Sequence, residues 1–161
     1  MNYTLRPIAP QDNLEIQKIV QNTMTEFGAS GAGFSINDAE VLNMFEAYAH
    51  PRHAYFVITD GHELFGGAGI APLTDGDEKV CELRKMYFRQ EVRGLGLGQL
   101  LMEKCLAEAR LMGFEQCYLE TLRSMKGAEK LYRKNLFLPI EKPMGATGHF
   151  SCDSFYLKSL S

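Results

Sequence analysis

The 161-residue chain has four cysteines, Cys81, Cys105, Cys117 and Cys152. No two of them form a C-x-x-C pair, so neither a disulfide framework nor a cysteine metal knuckle is indicated. There is no run of lysine and arginine, and the formal net charge is -3; the basic face expected of a nucleic-acid binder is missing. No apolar run approaches the roughly 18 residues needed to cross a bilayer, and no amino-terminal stretch has signal-peptide form. A soluble protein in a reducing, cytoplasmic setting is expected, with no nucleic-acid or membrane partner. Two nucleotide fingerprints are absent as well. No Gly-Lys-Ser or Gly-Lys-Thr occurs, which excludes a P-loop. The dinucleotide pattern G-x-G-x-x-G fails from Gly94, from Gly96 and from Gly67, whose sixth positions are Gln99, Leu101 and Pro72. His50 and His53 have no acidic or sulfur partner at ligand spacing, and no metal is expected.

What the chain does have is Val92-Arg93-Gly94-Leu95-Gly96-Leu97-Gly98-Gln99-Leu100-Leu101, which turns from alternating glycine to helical apolar spacing within a few residues. Glycines clear side chains from the backbone, and a helix starting behind them leaves its first N–H groups unpaired. With the helix dipole and Arg93, this is a site for phosphate or pyrophosphate. A plain glycine-rich turn is the alternative.

The surrounding pattern alternates strands and helices. Tyr3–Ile8 reads as an edge strand because of Pro7. Ile16, Ile19, Val20, Met24 and Phe27 form a helical stripe that is broken by the small-residue loop Gly28–Gly33. A second helical pattern runs from Asn37 to Tyr48, with Val41, Leu42, Phe45 and Tyr48 inward. Ala54–Thr59 and Leu64–Ala71 form a hairpin about Asp60-Gly61, and Val80–Phe88 is the strand leading into the glycine loop. Then come a helix with Leu97, Leu100, Leu101, Cys105, Ala109 and Met112 on its apolar face, capped by Gly113; a strand at Gln116–Thr121; and a helix from Met125 to Leu136. Strands at Phe137–Ile140 and Ser154–Lys158 close the chain. Helices interspersed among strands imply an α/β mixed sheet. The length suits one domain spanning 1–161.

Arg93-x-x-Gly96-x-Gly98, between a strand and a helix, resembles the coenzyme A pyrophosphate loop of the GNAT superfamily of acetyl-CoA-dependent N-acetyltransferases. Leu119-Glu120-Thr121, followed by Ala128-x-x-Leu131-Tyr132 and Phe137, is similar to that family's second signature. Asn135-Leu136-Phe137 departs from it, since Gly-Phe is usual there. The resemblance implies a GNAT fold, a mixed, mostly antiparallel sheet of six to seven strands with about four helices and splayed central strands. It implies acetyl-CoA as donor. The backbone of Met86, Tyr87 and Phe88 would bond the pantetheine arm, and Arg93, Gly94, Leu95, Gly96, Leu97, Gly98 and Gln99 would hold the pyrophosphate.

Acyl transfer needs an amine lone pair and a proton source for the departing thiolate. Tyr132 matches the family's tyrosine on this helix and is the candidate acid; a core aromatic is the other reading. Glu82 is the first candidate base, since alternation sets it with Arg84, Met86 and Phe88 on one face, and an ion pair with Arg84 or Lys85 is its alternative. Glu120 is the second candidate. Glu26, beside the small-residue loop Gly28–Gly33, and His149, in the loop before the last strand, are candidate contacts to the acceptor. Cys152 beside His149 suggests a thiol nucleophile, but direct transfer is favoured.

The expected activity is transfer of acetyl to a primary amine of a small molecule, amino acid or peptide, with a homodimer compatible with it. A noncatalytic acyl-CoA-binding sensor and an acetyltransferase of protein amino termini or lysines are the alternatives.

Overall fold

The computed structural model describes residues 2–161. A seven-stranded sheet runs in the order β1-β2-β3-β4-β5-β7-β6, formed by β1 (Thr4–Pro7), β2 (Ala54–Thr59), β3 (Leu64–Pro72), β4 (Val80–Phe88), β5 (Gln116–Thr121), β6 (Leu138–Ile140) and β7 (Ser154–Ser159). Every neighbouring pair is antiparallel except β4 and β5. Helices α1 (Asn13–Glu26) and α2 (Met44–Ala47) cover one face; α3 (Leu97–Leu111) and α4 (Lys126–Lys134) cover the other. The mixed α/β architecture is as expected.

Each face is sealed by one helical stripe. Ile16, Ile19, Val20 and Met24 of α1 are buried, each contributing about 1.5–3 kcal/mol of apolar transfer. On α3 the buried stripe is Leu97, Leu101, Met102, Cys105, Leu106 and Ala109. Leu100, expected on that face, is 50% exposed, because steps of four from Leu97 run to Leu101 and pass beside it.

The segment expected as one helix from Asn37 to Tyr48 is broken. Ser35–Asn37 and Ala39–Leu42 are single 3-10 turns, and only Met44–Ala47 is α-helical. Val41 and Tyr48 point inward as expected, but Leu42 is 57% exposed. Tertiary pairing accounts for the break: Asp38 and Glu40 both reach Lys85 of β4, at 2.7 and 2.8 Å, and a continuous helix is given up to present them.

Three helices end in the same hydrogen-bonded hook, the Schellman pattern. In α1 and α3, Gly28 and Gly113 take the left-handed position, with Ala29 N bonded to Met24 O at 2.8 Å and Phe114 N to Ala109 O at 3.0 Å. In α4 that position falls on Leu136, at φ 66°. Its amide still bonds Arg133 O, and Phe137 N bonds Tyr132 O, both at 3.0 Å. The motif is therefore complete without glycine, and it brings the Phe137 ring edge-on to Tyr132, with centroids 6.1 Å apart.

Candidate active site

β4 carries a bulge at its centre. Gly67 pairs with Tyr87 and Gly69 with Arg84, so Lys85 and Met86 together oppose Ala68; Lys85 has φ 51°. An extra residue reverses the alternation beyond it. Cys81 and Leu83 face α3, as do Met86 and Phe88, whereas Tyr87 packs toward α1. The expectation that Glu82, Arg84, Met86 and Phe88 share one face is thus corrected. Glu82 and Arg84 face the α1 side, and Met86 and Phe88 lie on the other side.

β4 and β5 pair only from Val80 to Glu82 against Gln116 to Tyr118; beyond that they diverge, as expected for splayed strands. Three neighbouring spaces share lining residues around β4. A groove of about 460 Å³ is lined by Met86, Tyr87 and Phe88 of β4, the glycine loop, and Lys126, Gly127, Ala128 and Leu131 of α4. An inner cavity of about 40 Å³ shares Met86, Tyr87 and Met125 with the groove and is lined by Glu82, Glu120, Tyr132, His149 and Cys152 as well. A vestibule of about 230 Å³ shares Glu82, Arg84 and His149 with the inner cavity and is bounded by Asp38, Glu40, Thr74 and Thr147.

The groove fits a coenzyme A phosphate backbone. Gly94 and Gly96 have φ of 78° and 82°, with open space where a Cβ would stand. The amides of Leu97, Gly98 and Gln99 open α3 and have no acceptor within the helix. Gly98 lies close to α4, where a Cβ would stand 3.1 Å from Leu131. Two side chains of the loop do something else. Arg93 is held by Glu26 at 2.6 and 3.0 Å and by Phe88 O at 2.8 Å, and Arg93 holds the Glu26 carboxyl below its ordinary pKa. Glu26 is thereby placed at the glycine loop and outside the residues that line the vestibule. Gln99 exchanges hydrogen bonds of 3.0 and 2.8 Å with Asn135, which ties α3 to α4 and gives the residue before Leu136 a use that glycine could not fill.

Around the inner cavity, charges are paired tightly. His149 bridges Asp38 at 2.7 Å and Glu120 at 3.0 Å. Burial disfavours its cation, yet hydrogen bonds to those two carboxylates lift its pKa to about 9. Glu120 also accepts from Tyr118 at 2.7 Å and Thr147 at 2.5 Å; His149 first, then these two donors, outweigh burial and hold its pKa below the ordinary value. Asp38 is kept low against burial by His149 and Lys85. Two loops are joined in the process. Besides the His149 to Asp38 link, Ser151 bonds Gly33 O at 3.1 Å through its amide and Ala32 O at 2.7 Å through its hydroxyl.

Glu82 differs from Glu120. It is 3% exposed; burial raises its pKa, Arg84 pulls it back, and the net shift is upward. Arg84 Nε donates to one oxygen at 2.7 Å, and no donor among the described residues reaches the other. The ion pair with Arg84 is present, while Lys85 turns instead to Asp38 and Glu40. An oxygen of Glu82, one of Glu120 and a ring nitrogen of His149 lie within 4.8 Å of one another. As an imidazolium, His149 spends both N–H groups on carboxylates and keeps no lone pair for a metal. Tyr132 is buried, with a pKa raised by that burial and by Tyr87 and eased by a hydrogen bond with Thr121. Cys152 is pushed up to about 12 by burial, then by Glu120.

Sequence reading missed Asp38, Lys85 and Thr147. Only a lysine inside a largely apolar strand signalled that a buried partner was needed.

Comparison with known proteins agrees with this geometry. Residues 17–136 match the acetyltransferase (GNAT) family model, and the chain belongs to that family of acetyltransferases. It is 38% identical to the uncharacterized N-acetyltransferase YjgM of Escherichia coli strain K12, over 97% of this chain and 94% of that protein. It is 30% identical to an uncharacterized N-acetyltransferase of Schizosaccharomyces pombe, over 77% of this chain and 75% of that protein. A GNAT-family acetyltransferase from Staphylococcus aureus Mu50 superposes with a TM-score of 0.88 at 18% identity, covering 99% of this chain and 100% of that one. The structure of YncA from Salmonella typhimurium with its cofactor acetyl-CoA superposes with a TM-score of 0.77 at 19% identity, covering 100% and 95%. No helix among the described residues is long and apolar enough to cross a membrane.

Proposed function

We propose that this chain, working as one acetyltransferase domain over residues 1–161, moves acetyl directly from acetyl-CoA to a primary amine of a small molecule. The observation that carries this reading is the inner cavity between β4 and β5. It is lined by both Glu82 and Tyr132 and shares residues with the donor groove and the vestibule. When bound, acetyl-CoA supplies the acetyl thioester. The amides of Leu97, Gly98 and Gln99 meet its pyrophosphate, and Met86, Tyr87 and Phe88 border its pantetheine arm. Arg93 acts by fixing the loop to α1.

Glu82 is the base. An ammonium of pKa near 10.4 costs about 4.6 kcal/mol to deprotonate at pH 7, and a raised carboxylate with one uncommitted oxygen is suited to accept that proton. Glu82 takes the ammonium proton, Tyr132 donates its hydroxyl hydrogen toward the departing sulfur, and between them an N–C bond forms as a C–S bond breaks. The first ammonium proton leaves to solvent through Glu82, and the second, shed by the nitrogen once the N–C bond has formed, replaces the one Tyr132 gave to sulfur. Glu120 is a positioning residue, since its oxygens are engaged by Tyr118, Thr147 and His149. A thiol pushed up to about 12 leaves Cys152 only about one part in 100,000 ionised at pH 7, which supports direct transfer. The four free thiols support a reducing, cytoplasmic setting.

The test is thiol release from acetyl-CoA with a panel of primary amines, alongside acetylation of peptides at amino termini and lysines. Release with small amines supports the reading. Tight coenzyme A binding with no release for any amine would make the chain a sensor, and release with peptides alone would make it a protein acetyltransferase.

A further inference from the structure

The vestibule carries a cation whose hydrogen-bonding capacity is largely unspent. Arg84 makes one good hydrogen bond, from Nε to Glu82 at 2.7 Å. Its terminal nitrogens have only long contacts: 3.5 Å to Glu40, and 3.4 Å to both Pro72 O and Thr74 Oγ1. A guanidinium presents five N–H groups in a planar fork, and four of them sit on those terminal nitrogens. The side chain is 15% exposed and borders the open space of about 230 Å³. A fork held in place through Nε and left open at its end matches a carboxylate in two-point contact.

Charge around the site leads to the same ligand. Asp38, Glu40, Glu82 and Glu120 supply four carboxylates, against the cations Arg84, Lys85 and His149. When all are ionised, one negative charge is in excess, which favours an incoming ammonium. The open end of Arg84 favours an anion two residues along the same strand. One molecule satisfies both when it carries an amine and a carboxylate a few ångströms apart. The neighbouring Glu40 and Glu82 oppose a doubly charged phosphate more strongly than a singly charged carboxylate.

We infer that the acceptor is a 2-amino carboxylate, a free amino acid or a close analogue, whose carboxylate docks on the terminal nitrogens of Arg84 while its amine faces Glu82. This rests on the acetyl-transfer reading above and narrows it. Arg84 is then a specificity-determining residue, and Thr74 lies within reach as an added donor.

The decisive comparison needs only the unaltered protein. Steady-state thiol release from acetyl-CoA is measured with a set of L-amino acids, each beside its carboxamide, its decarboxylated amine and, for the smallest, phosphoethanolamine. Carboxamide amines are less basic and more easily deprotonated, so chemistry alone favours them. The expected result is a kcat/KM at least about 30-fold higher for the acid, carried mainly by KM, as a desolvated charge pair gives. Arg84→Gln is expected to bring the acid-to-carboxamide ratio within about 3-fold, whatever happens to the absolute rate through Glu82. Calorimetric titration of the coenzyme A complex with the same compounds reads binding without turnover. Rates equal within 3-fold, or a preference for phosphoethanolamine, would overturn the carboxylate site and leave acetyl transfer standing. Carboxylate-dependent binding with no acetylation of any amine would uphold the site and refute the transfer reading. Failure of every amino acid both to bind and to react would end the proposal.

Discussion

The phenol of Tyr55 donates a 2.7 Å hydrogen bond to the carbonyl of Lys85, the group that the β4 bulge takes out of the sheet ladder. The ring reaches it across β3 because two positions there are glycine: a Cβ on Gly67 or on Gly69 would stand 2.5 Å from a Tyr55 ring carbon. The cluster Gly66-Gly67-Ala68-Gly69 thus serves the bulge, and the bulge sets the strand directions around the candidate site. Tyr55→Phe should cost about 1–3 kcal/mol, the penalty for a buried carbonyl left unsatisfied. Urea denaturation measures it; a loss below about 0.5 kcal/mol would mean that water replaces the phenol.

Leu136 holds a left-handed conformation at φ 66° while 71% exposed. Such a backbone costs an L-residue about 1–2 kcal/mol, and the exposed side chain returns little by burial. Leu136→Gly should therefore stabilise the protein by about 0.5–1 kcal/mol, after allowance for the greater freedom of glycine in the unfolded chain. Thermal and urea unfolding would register the gain, and an unchanged or lower midpoint would count against the strain.

Glu82→Gln should reduce kcat/KM by about 10²–10⁴-fold, the usual worth of a positioned base. The loss should be greatest at acidic pH and narrow as pH approaches the pKa of the amine, where free amine needs no base. The wild-type rate should rise with pH through the elevated pKa of Glu82. A loss of the same size at every pH would assign Glu82 a structural role.

His149 links stability to pH. Its folded-state pKa of about 9 lies above the ordinary value of about 6.5, so its contribution is complete below about pH 6.5 and is lost as pH rises through 9. Asp38 and Glu120 are shifted down, so theirs is present at neutral pH and is lost on acidification below the usual carboxylate range. The stability difference between wild type and His149→Gln should be about 1–2 kcal/mol larger at pH 6 than at pH 10, less than the full shift would give because water screens part of the ring. A difference independent of pH would show that the imidazole packs there uncharged.

Glu26 offers a test at the donor end. Its carboxylate is bound to Arg93, beside amides proposed to receive a pyrophosphate. Glu26→Gln removes a negative charge and loosens Arg93, so coenzyme A should bind about 2–5-fold more tightly at low salt, with the gain shrinking as salt rises. Calorimetric titration decides it; weaker binding would show that the pair shapes the loop more than it repels the ligand.

Much of this protein is legible in its residues. Apolar periodicity locates α1, α3 and the strands, since burial of one face depends only on local spacing. The glycine loop ahead of α3 marks a candidate anion site because helix amides are unpaired in any fold. Gly113 announces a helix end. Other features needed the third dimension. No local pattern distinguishes the bulge at Lys85, which depends on Tyr55 arriving from another strand, and so the face of Met86 and Phe88 is read wrongly from alternation. The break between Asn37 and Tyr48 follows from Lys85 drawing in Asp38 and Glu40, a pairing across more than forty positions that helical periodicity cannot see. The sequence by itself determined the glycine loop and the family motifs, because these are contiguous. The tertiary structure decided which carboxylate is engaged and which is left with an uncommitted oxygen, because burial and partners drawn from distant segments set that chemistry.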